Sequence, residues 1–158
     1  PWKFVVVRQK NAELAKVAYG GNYDQVMEAP VTIALFTDTD LQRRARKIAR
    51  VGGVKNFTEE QLQYFMQNLP AEYARYNEQQ ISDYLALNAG LVAMNLVLAL
   101  TDQGIGSNII LGFDKSKVNE VLEIEERFRP ELLITVGYAA EKVEPSYRLP
   151  VDEIIEKR

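Results

Sequence analysis

The stretch from about Gln79 to Gln103 constrains this chain more than any other. Ile81, Leu85, Asn88, Val92, Leu96 and Ala99 recur at spacings of three and four, the period of one helix face. Between Leu85 and Leu100 the sequence is apolar nearly all round, interrupted by Asn88 and Asn95. Such a helix is buried, either in a core or against a partner, and Leu96 is expected on the partner side. The apolar run is shorter than the roughly 20 residues that span a bilayer, so no membrane partner is expected. At 158 residues the chain has the length of one domain, with enough surface to bury for a core around this helix.

The rest alternates short strands and helices. Trp2 to Val7 and Val31 to Phe36 are β-branched or aromatic runs, and the second is apolar enough to be buried on both faces. Ser107 to Leu111 and Leu132 to Tyr138 read as two further strands. Asn11 is a candidate cap for a helix reaching Tyr19, which Gly20-Gly21-Asn22 ends, and a short turn or helix runs on through Met27. Asp38-Thr39-Asp40 offers caps for a helix from Leu41 to about Val51, stopped by Gly52-Gly53. Thr58-Glu59-Glu60-Gln61 is a capping-box pattern, and Pro70 breaks or kinks the helix that it opens. Asp114 caps a helix to about Leu122, and an irregular tail starts at Glu144. The pattern predicts a layered α/β or α+β fold in one domain.

Two absences limit the chemistry. Without cysteine there is no disulfide, thiolate nucleophile or cysteine-ligated metal. Without histidine there is no Ser-His-Asp triad, no histidine metal ligand and no proton shuttle of the usual neutral-pH kind. No metal site is expected, and an enzyme built from this chain needs a carboxylate pair, a lysine or a borrowed cofactor. The net charge of −3 gives no global basic field for nucleic acid. Nothing at the start resembles a signal peptide, and a cytoplasmic location is expected.

Four local patterns invite a site, each with a structural reading beside it. Gly104-Ile105-Gly106 lacks the third glycine of a dinucleotide fingerprint, since Ile109 stands there, and it follows a helix rather than a strand; a glycine helix cap accounts for it. Arg43, Arg44, Arg46, Lys47 and Arg50 form either a solvated helix face or a docking patch for an anion. Glu123, Glu125 and Glu126 would do acid–base work only if one were held in an apolar pocket. Tyr64, Phe65, Tyr73, Tyr76 and Tyr84 suit core packing as well as a planar ligand.

Read in order, the motifs resemble the FMN-dependent nitroreductase family. They are Leu87-Asn-Ala-Gly-Leu-Val-Ala-Met-Asn-Leu-Val-Leu-Ala-Leu-Thr-Asp-Gln-Gly-Ile-Gly106, then Ile110-Leu-Gly-Phe-Asp114, Gly137-Tyr138, and Arg148-Leu149-Pro150, behind an opening Pro1-Trp2-Lys-Phe-Val-Val-Val7. The resemblance spans essentially residues 1–158 as a single domain, and it implies roughly 40 further family residues at the front that this sequence does not contain. It implies an α+β fold with a mixed, mostly antiparallel sheet flanked by helices, and a long central helix at a homodimer interface. Asn22 resembles the asparagine that meets the flavin's polar edge, and Gln25 falls where a lysine often sits. Ile109, Ile110, Leu111 and Gly112 resemble the turn along the isoalloxazine, with the Leu111 N–H toward N5. Arg148 resembles the tail arginine on the ribityl phosphate, and Tyr64 and Phe65 resemble substrate-pocket residues.

The activity that this implies is transfer of hydride from NADH or NADPH through FMN to nitroaromatic, quinone or related small-molecule acceptors, in a ping-pong cycle with no side-chain nucleophile. The alternatives are a flavin enzyme of the same fold with other chemistry, such as dehalogenation or flavin fragmentation, and a non-catalytic dimeric binding module.

Overall fold

The computed structural model describes residues 1–52, 57–141 and 145–158; the expected helix stop at Gly53 and the tail's start at Glu144 fall outside them. Four strands, β1 (Trp2–Val7), β2 (Val31–Asp38), β3 (Gly106–Ile110) and β4 (Phe128–Gly137), form a sheet in the order β1-β2-β4-β3. All the pairings are antiparallel, so the parallel member of a mixed sheet is not among these strands. The helices are α1 (Asn11–Ala15), α2 (Asn22–Glu28), α3 (Leu41–Gly52), α4 (Glu59–Gln63), α5 (Leu69–Tyr73), α6 (Glu78–Asp102), α7 (Lys115–Leu122) and α8 (Val151–Ile154).

The central strands are covered on both faces, as the apolar run at Val31–Phe36 requires. Ala34, Phe36 and Leu133 point to a core shared with Leu14, Val17, Val26, Val118 and Leu122 of the α1, α2 and α7 layer. Leu35, Leu132 and Ile134 point the other way, onto Ala89 and Ala93 of α6. Phe128 belongs to the first core and Leu132 to the second, although strict alternation would put them on one face. A bulge resolves this: Leu35 faces Leu132 while Phe36 faces Pro130, which leaves Glu131 as the extra residue. It also explains how Pro130, with no N–H to give, sits in a central strand. The sequence reading began this strand at Leu132 and missed its first residues.

Capping residues behave as expected at Thr58 and Asp114, whose side chains accept from Gln61 N and Ser116 N. Asp40 caps α3 by accepting from Arg43 N at 2.8 Å. Asn11 is not a cap; it lies inside α1 and its amide donates to the Ala29 carbonyl at 2.6 Å, tying α1 to the end of α2. Before Pro70 the helix widens into a π-turn over Tyr64–Asn68, because the proline cannot donate to an α-helical carbonyl.

Helix α6 is long and apolar enough by length and composition to cross a membrane, yet its Leu85, Ala89 and Ala93 side is buried on the sheet. Trp2 reinforces that seat by donating its indole N–H to the Asn88 carbonyl at 3.1 Å. Leu96 packs on the sheet side with Leu35 and Ile134, which corrects its expected place at a partner surface. Leu87, Leu91, Met94 and Leu98 lie opposite and are half or more exposed, lining a shallow groove with Ala86, Gly90 and Asn95.

Candidate functional site

The expected cofactor residues divide into a cluster and an outlier. Asn22 opens α2, and its amide donates to the Gly112 carbonyl at 3.0 Å, ninety positions along the chain. The same carbonyl accepts from Tyr19 N at 2.9 Å, so the turn after β3 is pinned to the loop before α2. Glycine at 112 leaves room for the Asn22 bond: a Cβ there would lie 2.6 Å from the Asn22 amide nitrogen and push it off the carbonyl. The turn is closed by Phe113 N donating to the Leu111 carbonyl, while the N–H groups of Leu111 and Gly112 meet no acceptor among the described residues. Leu111 is 66% exposed beside them.

Gln25, one turn along α2, is bonded to the Asn108 amide of β3 at 2.5 Å. Asn108 is the residue that sequence reasoning passed over; its signal was an amide side chain directly before the apolar Ile109 and Ile110 of an edge strand. Gln25 and Asn108 line an open cleft of about 530 Å³ with Pro30, Gly106, Thr135 and Gly137. The cleft's floor is tightly packed, since a Cβ at Gly137 would meet the Pro30 ring at 2.8 Å. Ile109 is partly exposed on the same strand, but Ile110 is 1% exposed in the α1, α2 and α7 core. Ile110 therefore offers a ligand its backbone only, because strand alternation turns its side chain inward.

The structure does not bring Arg148 to this cluster. Its guanidinium is exposed in the tail and bonds to Ser146 Oγ at 2.7 Å and the Tyr147 carbonyl at 2.9 Å. Tyr64 and Phe65 also stand apart. They belong to the α3–α5 excursion that leaves the Asp38 end of β2, whereas α2 enters β2 at its other end, roughly 26 Å away along an eight-residue strand. Phe65 stacks on Phe57 with ring centres 5.1 Å apart, and Tyr64 donates to Glu72 at 3.3 Å. Neighbouring Tyr73 and Tyr84 share a hydroxyl contact at 3.3 Å, and burial, then that bond, pushes the Tyr73 hydroxyl well above its ordinary range.

The acidic residues are no acid–base pair. Glu123 is paired with Lys10, and Glu125 with Arg127 at 3.0 Å; in each case the bond from the cation holds the carboxyl below its usual range. A general acid needs the opposite shift. Among the described residues no group of acidic side chains could hold a metal ion. What remains is a neutral site of amide groups and free backbone N–H groups at the sheet's β3 edge.

Comparison with known proteins gives the chain's family and fold. Residues 1–138 match the Nitroreductase family. The chain is 63% identical to "Putative NAD(P)H nitroreductase Spy0809" of Streptococcus pyogenes serotype M6, over 100% of this chain and 78% of that protein. The crystal structure of a nitroreductase family protein from Streptococcus pneumoniae TIGR4 matches with a TM-score of 0.96 at 87% identity, covering 100% of this chain and 79% of that one. Another, of a "putative nitroreductase in complex with FMN" from Exiguobacterium sibiricum 255-15, matches with a TM-score of 0.89 at 26% identity, covering 100% and 77%. With residues 1–138 matched and the α+β fold shared, the chain belongs to the nitroreductase family.

Proposed function

We propose that this chain forms the body of an FMN-dependent oxidoreductase that draws on NADH or NADPH and reduces nitroaromatic, quinone or related acceptors in a ping-pong cycle. FMN, when bound, supplies the hydride chemistry that a chain without histidine or cysteine lacks. The observation that carries the reading is the Asn22–Gly112 lock. It uses the Asn22 amide nitrogen on the Gly112 carbonyl and leaves Asn22 Oδ1 as an acceptor beside the free N–H groups of Leu111 and Gly112. A neutral set of donors and an acceptor, next to an exposed leucine, fits the uncharged polar edge of a planar heterocycle and not a phosphate.

Each residue then has a task. Leu111 and Gly112 would present backbone N–H groups to a ring nitrogen, Asn22 would orient the polar edge, and Gln25 would bring an amide dipole where a lysine would bring a charge. Arg148 has guanidinium N–H groups beyond its two tail bonds to offer a phosphate. Tyr64 and Phe65, at the far end of β2, would serve a site supplied by a second copy. That copy is proposed to pack on the exposed Leu87, Leu91, Met94 and Leu98 face.

Adding FMN, removing the excess and recording a visible spectrum tests the reading. Near one flavin retained per chain is expected, followed by parallel initial-rate lines when NADH or NADPH is varied against menadione. A folded chain that stays colourless would overturn it.

A further inference from the structure

Helix α3 carries a charge pattern that the flavin reading does not use. Leu41 and Ala45 are its buried side, at 5% and 1% exposure. At 100° per residue Arg43, Arg46, Lys47 and Arg50 all fall within about 100° of one another around the axis, centred opposite that buried side. All four are exposed, and α3 has no acidic residue of its own. Among the described residues, none of them makes an ion pair. Arg43 at one end is near enough to Glu125 to help hold that carboxyl down; Arg46, Lys47 and Arg50 are the free stretch. Val51, 55% exposed, flanks the cations on one side.

We propose that α3 is a docking surface for an anionic lipid bilayer. The cations stand on the outward, convex side of a helix, which suits a flat array of headgroup charges, whereas a small phosphate ligand needs a concave pocket. The exposed valine beside the cations suits the boundary between headgroups and acyl chains, and a nucleic-acid backbone has no use for it. The net charge of −3, which gives no global basic field for nucleic acid, averages over the whole molecule. The field at α3 is local, because screening confines each charge to about 10 Å. This surface docks and does not span, and the proposal is independent of the flavin reading.

The test is co-sedimentation of the whole chain with vesicles of phosphatidylcholine containing about 30 mol% phosphatidylglycerol, at about 50 mM and about 500 mM salt. Binding is expected at low salt, with little at high salt and none to pure phosphatidylcholine. The Arg46→Gln, Lys47→Gln, Arg50→Gln triple variant should lose about 100-fold in partitioning, at about fivefold per cation. Its melting temperature and FMN content should match the parent. Val51→Ser should weaken vesicle binding at fixed salt. Equal binding by parent and triple variant would overturn the proposal, as would absence of vesicle binding, or binding to a labelled single-stranded RNA in its place.

Discussion

At the residue scale, stability and site geometry meet at Gly112. A methyl group there cannot coexist with the Asn22 amide at 2.6 Å, so Gly112→Ala must swing that side-chain amide away and break its bond to the Gly112 carbonyl. A loss of about 0.5–1.5 kcal/mol in urea denaturation is expected, as for one hydrogen bond, together with weakened FMN retention. Asn77→Ala removes the side chain that accepts from Gln80 N at 2.8 Å and should cost about 1 kcal/mol by the same measurement. Asp114 gives a pH signature. Its carboxyl lies below the ordinary value of 3.8, first because Ser116 Oγ donates to it and next because Lys117 does. A depressed carboxyl stabilises the fold above its unfolded pKa, and that contribution is lost as pH falls through the folded value. Asp114→Asn should therefore melt below the parent near neutral pH, and the difference should shrink on acidification below about pH 4.

At the element scale, the bulge in β4 controls how α6 meets the sheet. The extra residue, Glu131, is 6% exposed and accepts from Thr37 Oγ1 at 2.5 Å and from Arg129 at 2.7 Å. Arg129 in turn donates to Ser82 Oγ at 2.8 Å and to the Ser82 carbonyl at 3.1 Å, so one guanidinium joins β4 to the start of α6. Arg129→Ala would leave the buried Glu131 carboxylate to Thr37 Oγ1 and to Lys115 Nζ at 4.0 Å, at a cost of up to about 3 kcal/mol by denaturant titration. Pairing it with Glu131→Leu should recover part of that loss, and a double-mutant cycle measures the coupling. The periodicity reading recovered α6, β1, β2 and β3 to within a residue or two, because each is a sustained apolar pattern. It missed Phe128–Glu131, because a proline and alternating charges argue against a central strand until the bulge is known.

At the scale of the whole molecule, the two sides of α6 make separable predictions. Leu96→Glu puts a charge against Leu35 and Ile134 and should destabilise the protomer itself. Leu91→Glu lies on the exposed groove side and should leave the melting temperature of a dilute protomer unchanged while shifting sedimentation toward the monomer. A Leu91→Glu variant that sediments like the parent would remove this face from the proposed dimer. The separation of Tyr64 and Phe65 from Asn22 makes the same point, since a site using both sets needs residues from two copies.

The amino-acid order alone determined a layered fold of strands and helices, the long helix, most strand positions and the exclusion of histidine and cysteine chemistry, because these depend on composition and local period. It also carried the family motifs, from which Asn22, Gln25 and the Leu111–Gly112 turn could be named. Only the tertiary structure decided which side of α6 faces the sheet, since a helix apolar nearly all round has no local preference for one face. The fold likewise turned the Ile110 side chain into the core, bonded Asn108 to Gln25 and separated Arg148, Tyr64 and Phe65 from the cluster. These are contacts between segments distant in sequence, and strand order and register set them.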